Sequence, residues 1–80
     1  MNEKNNTEDR QPIDGIMETS GLRNHDLVDA SAEQITHKMV AKARKGRRLS
    51  RKVQEKICRA LNARLSAGHT IQDLFTYQGK

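Results

Sequence analysis

At 80 residues, with one cysteine, one phenylalanine, one tyrosine and no tryptophan, the chain can hold one small domain, and it excludes an intrachain disulfide or a tetrahedral thiolate metal site. A core limited to Ile, Leu, Val, Met and Ala fills a helical bundle more readily than a sandwich or barrel, so the expected class is all-α, a small bundle of four or five helices. The net charge of +5 is unevenly spread, with seven acids against three bases in residues 1–30 and twelve bases against three acids in 31–80.

Residues 1–11 contain no apolar residue beyond Met1, cannot offset the entropy of ordering, and are expected to be disordered. The helical domain is then expected over 12–80. Pro12 suits a first helical position, Ile13, Ile16 and Met17 recur at helical spacing, and Gly21 suits the stop. Asn24 is placed to cap a second helix, with Asp26 in its first turn and Leu27, Val28 and Ala30 as its apolar face. Ser31 and Gln34 have the spacing of a capping box, which predicts a third helix from Ala32. At about 100° per residue, Ala32, Ile35, Thr36, Met39, Val40 and Ala43 share one side of it, and Gln34, His37, Lys38, Ala41, Arg44 and Lys45 the other. Gly46 ends this helix. After a turn at Arg47 to Leu49, Ser50 caps a fourth helix that carries Val53, Ile57, Ala60, Leu61 and Leu65 inward. Thr70 and Asp73 start a short last helix, with Ile71, Leu74 and Phe75 over the core.

The third helix and the corner after it carry the legible chemistry. Residues 36–52 hold eight bases and no acid, a density that repels itself unless a polyanion neutralises it. A helix read against the DNA major groove needs polar side chains for base edges, a low centre and flanking cations for phosphates. Gln34 is suited to adenine, Lys38 to guanine O6 and N7, and His37 to a purine N7, while Ala41 keeps the face low. Arg44, Lys45, Arg47, Arg48, Arg51 and Lys52 are read as phosphate contacts around Ser50. Arg51 and Lys52 oppose the macrodipole at a helix start, a conflict that an incoming phosphate resolves.

The stretch from Met39 to Leu61 resembles the helix-turn-helix region of bacterial repressors of the lactose-repressor and lambda-repressor/Cro types. Val40, Ala43, Gly46, Ser50, Val53, Ile57, Ala60 and Leu61 match the family pattern. The resemblance implies a helix-turn-helix within the bundle and a sequence-specific, duplex-DNA-binding transcriptional regulator that pairs as a homodimer on two half-sites. It also implies that Thr36, His37, Lys38 and Lys42 face bases or phosphates and that the stretch around Ser50 touches the backbone. Gapless extension upstream puts Gln34 where these families favour a turn glycine, and Asp29 and Glu33 where they keep apolar residues. Two starts for the third helix follow: Ala32 after the Ser31 box, which we prefer, or His37 after a turn at Gln34 and Ile35 with Thr36 as cap.

Other classes find less support. No apolar run reaches the roughly 18 residues that span a bilayer, and the polar, acidic N-terminal residues do not read as a signal peptide, so a cytoplasmic, membrane-free location is expected. His25, His37 and His69 have no partner at metal-ligand spacing, and no nucleophile elbow or phosphate loop frames the Ser, His and acidic residues, which argues against a cofactor, a small-molecule ligand or an enzyme. Cys58 reads as a small buried hydrophobe. RNA or ribosome binding through the same surface is an alternative, disfavoured because Phe75 and Tyr77 lie outside the basic region in sequence. An antitoxin or adaptor whose acidic N-terminal segment screens the basic face is another.

Overall fold

The computed structural model describes residues 10–77. Among these residues there are five helices and no strand: α1 (Pro12–Thr19), α2 (Asn24–Ala30), α3 (His37–Lys45), α4 (Arg51–Leu65) and α5 (Ile71–Leu74). Residues 1–9 of the segment expected to be disordered lie outside the described residues. Gln11, assigned to that segment, is buried and built into the fold. Its backbone N–H donates to the Arg44 carbonyl at 3.2 Å, and its side-chain oxygen accepts from the Thr76 backbone N–H at 2.7 Å and from the Thr76 hydroxyl at 3.1 Å. A single polar side chain thereby ties the entry of α1 to the segment after α5.

α1 begins with Pro12, whose missing N–H costs nothing in a first turn, and it buries Ile13 and Met17 completely. It ends as expected. Gly21 takes a left-handed φ of +71°, which lets Leu22 N–H reach the Met17 carbonyl at 2.8 Å and Gly21 N–H the Glu18 carbonyl at 3.1 Å. The start of α2 differs from expectation. Arg23 is the N-cap residue, and Asp26 Oδ2 accepts from its backbone N–H at 2.7 Å, which leaves Asn24 in the first turn with its side chain free for another task.

The third helix also starts later than the preferred reading. Ser31 does not cap it; its hydroxyl accepts from Glu33 N–H at 3.0 Å and donates to the Glu33 carbonyl at 2.8 Å, closing a local turn. Thr36 is the cap, with Oγ1 accepting from Met39 N–H at 3.1 Å, so α3 opens at His37, the second of the two starts. Both Ser31 and Thr36 offer a hydroxyl at cap spacing. Thr36 is the one that caps α3, and Ile35, which either start would turn inward, is buried in the connection just before the helix.

α4 is the longest element and packs against α2, α3 and α5, while α1 lies on α3 and α5. Its N-cap is Ser50, which accepts from Val53 N–H at 3.3 Å. The buried stripe is Gln54, Ile57, Cys58, Ala60 and Leu61, with Val53 and Leu65 only half-buried. In the last turn of α4, Asn62 clamps the loop that leads to α5 by giving Nδ2 to the His69 carbonyl at 3.0 Å and accepting from His69 N–H at 2.9 Å. The Cys58 thiol donates to the same carbonyl at 3.3 Å, and burial pushes its pKa up, so it packs as an inert group. α5 opens with a reciprocal box between Thr70 and Asp73 and delivers Leu74 and Phe75 to the core.

Gln54 is the exception inside this core. It is 0% exposed, and neither Oε1 nor Nε2 has a hydrogen-bond partner among the described residues. Burying an amide unpaired costs about 1–3 kcal/mol, which an apolar side chain of similar length does not incur. Gln54→Met is therefore expected to stabilise the fold by that amount and to raise the thermal midpoint, followed by circular dichroism, by at least about 4 °C. A midpoint equal to or below the parent's would show that the amide is satisfied in solution.

Candidate nucleic-acid interface

The sequence of α3 separates its two faces cleanly. Val40 and Ala43 are fully buried, while His37, Lys38, Lys42 and Lys45 are exposed and Ala41 is half-exposed between them. These five outward residues follow a spacing of one, three, one and three, a continuous strip on one side of the helix. Lys42 and Lys45 stand in the last turn, where the macrodipole favours cations.

Arg44 leaves this strip, correcting its reading as a phosphate contact. Its Nε donates to Asp14 Oδ1 at 2.6 Å and its Nη1 to Asn24 Oδ1 at 2.8 Å, and the side chain is only 18% exposed. The physical reason is angular: Arg44 stands about 40° around the helix from the buried Val40, so its stem starts on the packed side. Asp14 is 8% exposed and also pairs with Arg10. Such a burial of an acid is tolerable because two guanidiniums surround it.

Gln34 and Thr36 are exposed but lie off the helix, Gln34 in the connection after α2 and Thr36 at the cap. Thr36 Oγ1 is engaged by Met39 N–H, so Gln34 and Thr36 flank the start of the strip and do not belong to it. The connection itself is braced by Glu33, which accepts from Arg59 of α4 through both oxygens, at 2.9 Å from Nε and 2.7 Å from Nη2.

The corner between α3 and α4 is built on Gly46, whose φ of +90° only glycine adopts without strain. Arg47 and Arg48 are exposed on the corner, and Ser50, Arg51 and Lys52 are exposed at the start of α4. Arg51 meets Glu55 one turn on, at 3.4 Å, which offsets part of its conflict with the helix dipole. Lys45, the last residue of the α3 strip, thus joins Arg47, Arg48, Arg51 and Lys52 in a second group that continues it, five of the six cations expected there.

An aromatic residue also reaches this corner, contrary to the expectation that Phe75 and Tyr77 lie away from it. The Tyr77 hydroxyl accepts from Leu49 N–H at 2.9 Å and donates to the Arg47 carbonyl at 3.0 Å. The Arg48 guanidinium carbon sits 4.9 Å from the centre of its ring, and Phe75 meets the ring edge-on at 5.8 Å between centroids. Sequence reasoning missed Tyr77 because its partners are 28 and 30 residues away, beyond any helical periodicity. Asp14 was better signalled, as an acid flanked by Ile13 and Met17 on an apolar face.

No family model, curated protein or solved structure matches the chain. Among the described residues no group of three or more His, Cys, Asp and Glu side chains is gathered as a metal site, and no helix is long and apolar enough to cross a membrane.

The Glu33 brace makes the connection before α3 sensitive to acid. The Arg59 guanidinium holds the Glu33 carboxyl below its ordinary value of 4.5. A depressed folded-state pKa means that the stabilisation is complete above the ordinary value and disappears as pH falls through the depressed one. In urea unfolding across pH, the stability gap between the parent and Glu33→Gln should be constant from neutrality to about pH 5 and then close. A gap that persists at lower pH would contradict the pairing.

Proposed function

We propose that this protein binds duplex DNA as a small transcriptional regulator, with α2, the connection 31–36 and α3 acting as a helix-turn-helix. In this reading α3 is the recognition helix, and a second copy engages the other half-site. The protein acts as a binding module, without catalysis.

The observation that carries the reading is the division of one short basic region into two exposed groups. On α3, His37, Lys38, Ala41 and Lys42 form a polar strip with a small residue in the middle, backed by fully buried Val40 and Ala43. Polar ends for base edges and a low centre for close approach are what major-groove readout requires. At the corner and the start of α4, the exposed Lys45, Arg47, Arg48, Arg51 and Lys52 fall within a few residues of the N-terminus of a 15-residue helix, a combination suited to a phosphate. No acid interrupts residues 34–52.

Structured RNA is the second reading, favoured by the presence of Tyr77 at the basic corner. Base stacking on an aromatic is a common RNA contact, yet this ring already meets Arg48 and Phe75, so a stacked base would have to displace the guanidinium. Direct competition between duplex DNA and a structured RNA at equal salt separates the two readings.

With about five phosphates neutralised, log K for a duplex should fall against log salt with a slope near −4 to −5. Lys52→Ala should weaken binding to all sequences alike and reduce that slope by about 1, whereas Lys38→Ala should relax one base preference by about 1–3 kcal/mol in a selection from random duplexes. Absence of duplex affinity at low salt would remove the proposal, and uniform weakening by both substitutions would remove sequence readout by α3.

A further inference from the structure

The phosphate-facing corner has no helical scaffold of its own, since residues 47–50 lie between α3 and α4. Its backbone is held from outside. The Tyr77 hydroxyl bridges the Leu49 N–H and the Arg47 carbonyl, using both its accepting and its donating capacity on the two sides of Arg48. The ring below that hydroxyl lies under the Arg48 guanidinium and is set in place by the edge of buried Phe75. The segment carrying the ring is itself fixed one residue earlier, where Thr76 gives both N–H and hydroxyl to Gln11. Gln11 in turn donates to the carbonyl of Arg44, one helical turn before the same corner.

We infer that Tyr77 is a positioning residue for phosphate binding, a latch that fixes the corner backbone so that Arg47, Arg48 and the Ser50-capped start of α4 meet one DNA strand without further ordering. This rests on the duplex-binding reading above. A flexible corner would present the same charges, but each contact would then carry the entropy of fixing four residues between two helices. The latch removes that entropy before the duplex arrives. Tyr77 itself need not touch the nucleic acid, because its hydroxyl is committed to the backbone on both sides.

The discriminating variant is Tyr77→Phe, which keeps the ring under Arg48 and the packing against Phe75 and deletes only the bridging hydroxyl. Binding is measured with a random-sequence duplex of about two helical turns across a salt series. The expected result is an affinity loss of about five- to tenfold, since two backbone hydrogen bonds no longer pre-order the corner. The salt slope should become shallower by about 1, because fewer phosphates are held at once. Hydrogen exchange supplies a readout independent of DNA: the Leu49 amide should exchange faster in the variant while the amides of Val40 and Ile57 keep their protection. Unchanged affinity with a still-protected Leu49 amide would overturn the latch, and so would an affinity loss accompanied by faster exchange throughout the core, which marks general destabilisation. If the parent itself fails to bind the duplex, the proposed function falls and takes the phosphate role of Tyr77 with it. If the parent binds and Tyr77→Phe binds equally, only the latch falls.

Discussion

The ion pair between Asp14 and Arg44 is the constraint on which the arrangement of the basic surface depends. One guanidinium reaches from α3 to Asp14 of α1 and Asn24 of α2, so three helices share a single planar donor. The pair is mostly shielded from water, and removing Asp14 would strip the inward-drawn Arg44 of its counter-charge, which in comparable sites costs about 3–5 kcal/mol, whereas removing Arg44 would leave Asp14 with Arg10. Its geometric effect matters more. With Arg44 drawn inward, the roll of α3 about its axis is set, and the exposed strip of His37, Lys38, Ala41, Lys42 and Lys45 has only one direction in which to face. A region with eight bases therefore spends one of them on placing the others.

The same logic explains why the start of α4 tolerates two cations where the dipole disfavours them. Arg51 finds Glu55, Ser50 satisfies Val53 N–H, and the stripe of Ile57, Cys58, Ala60 and Leu61 anchors the rest of the helix in the core. Local electrostatic cost of a few tenths of a kcal/mol per charge is small beside the burial of those side chains. The helix can thus keep an unfavourable charge at its tip for another purpose.

Much of the fold was legible from residues that act locally. Pro12, Gly21, Gly46, Ser50 and the Thr70–Asp73 box mark helix ends through backbone geometry within a few residues, and each does so in the structure. Periodicity found Val40, Ala43, Ile57 and Leu61 for the same reason. The start of α3 was ambiguous because Ser31 and Thr36 offer equivalent hydroxyls, and an inward-facing Ile35 is compatible with either start. Gln54 was invisible as a core residue, since a polar amide on an apolar stripe ordinarily shifts toward solvent. Arg44 and Tyr77 were misjudged because their partners, Asp14, Asn24, Arg47 and Leu49, are separated from them by 20 residues or more. Charge density located the candidate surface; long-range pairing decided which of its charges face outward.

The contact between Gln11 and Thr76 has a kinetic side. Its partners are 65 residues apart, so forming it closes almost the whole described chain into a ring. Most other contacts in a helical fold are local and can form during the earliest collapse, whereas a closure of this length is rewarded only after the helices it spans are in place. The two strands of chain that meet there are thus expected to join last in folding and to part first in fluctuations of the native state. The basic corner, fastened by the residue next to that seam, would soften while the centre of α4 is still intact.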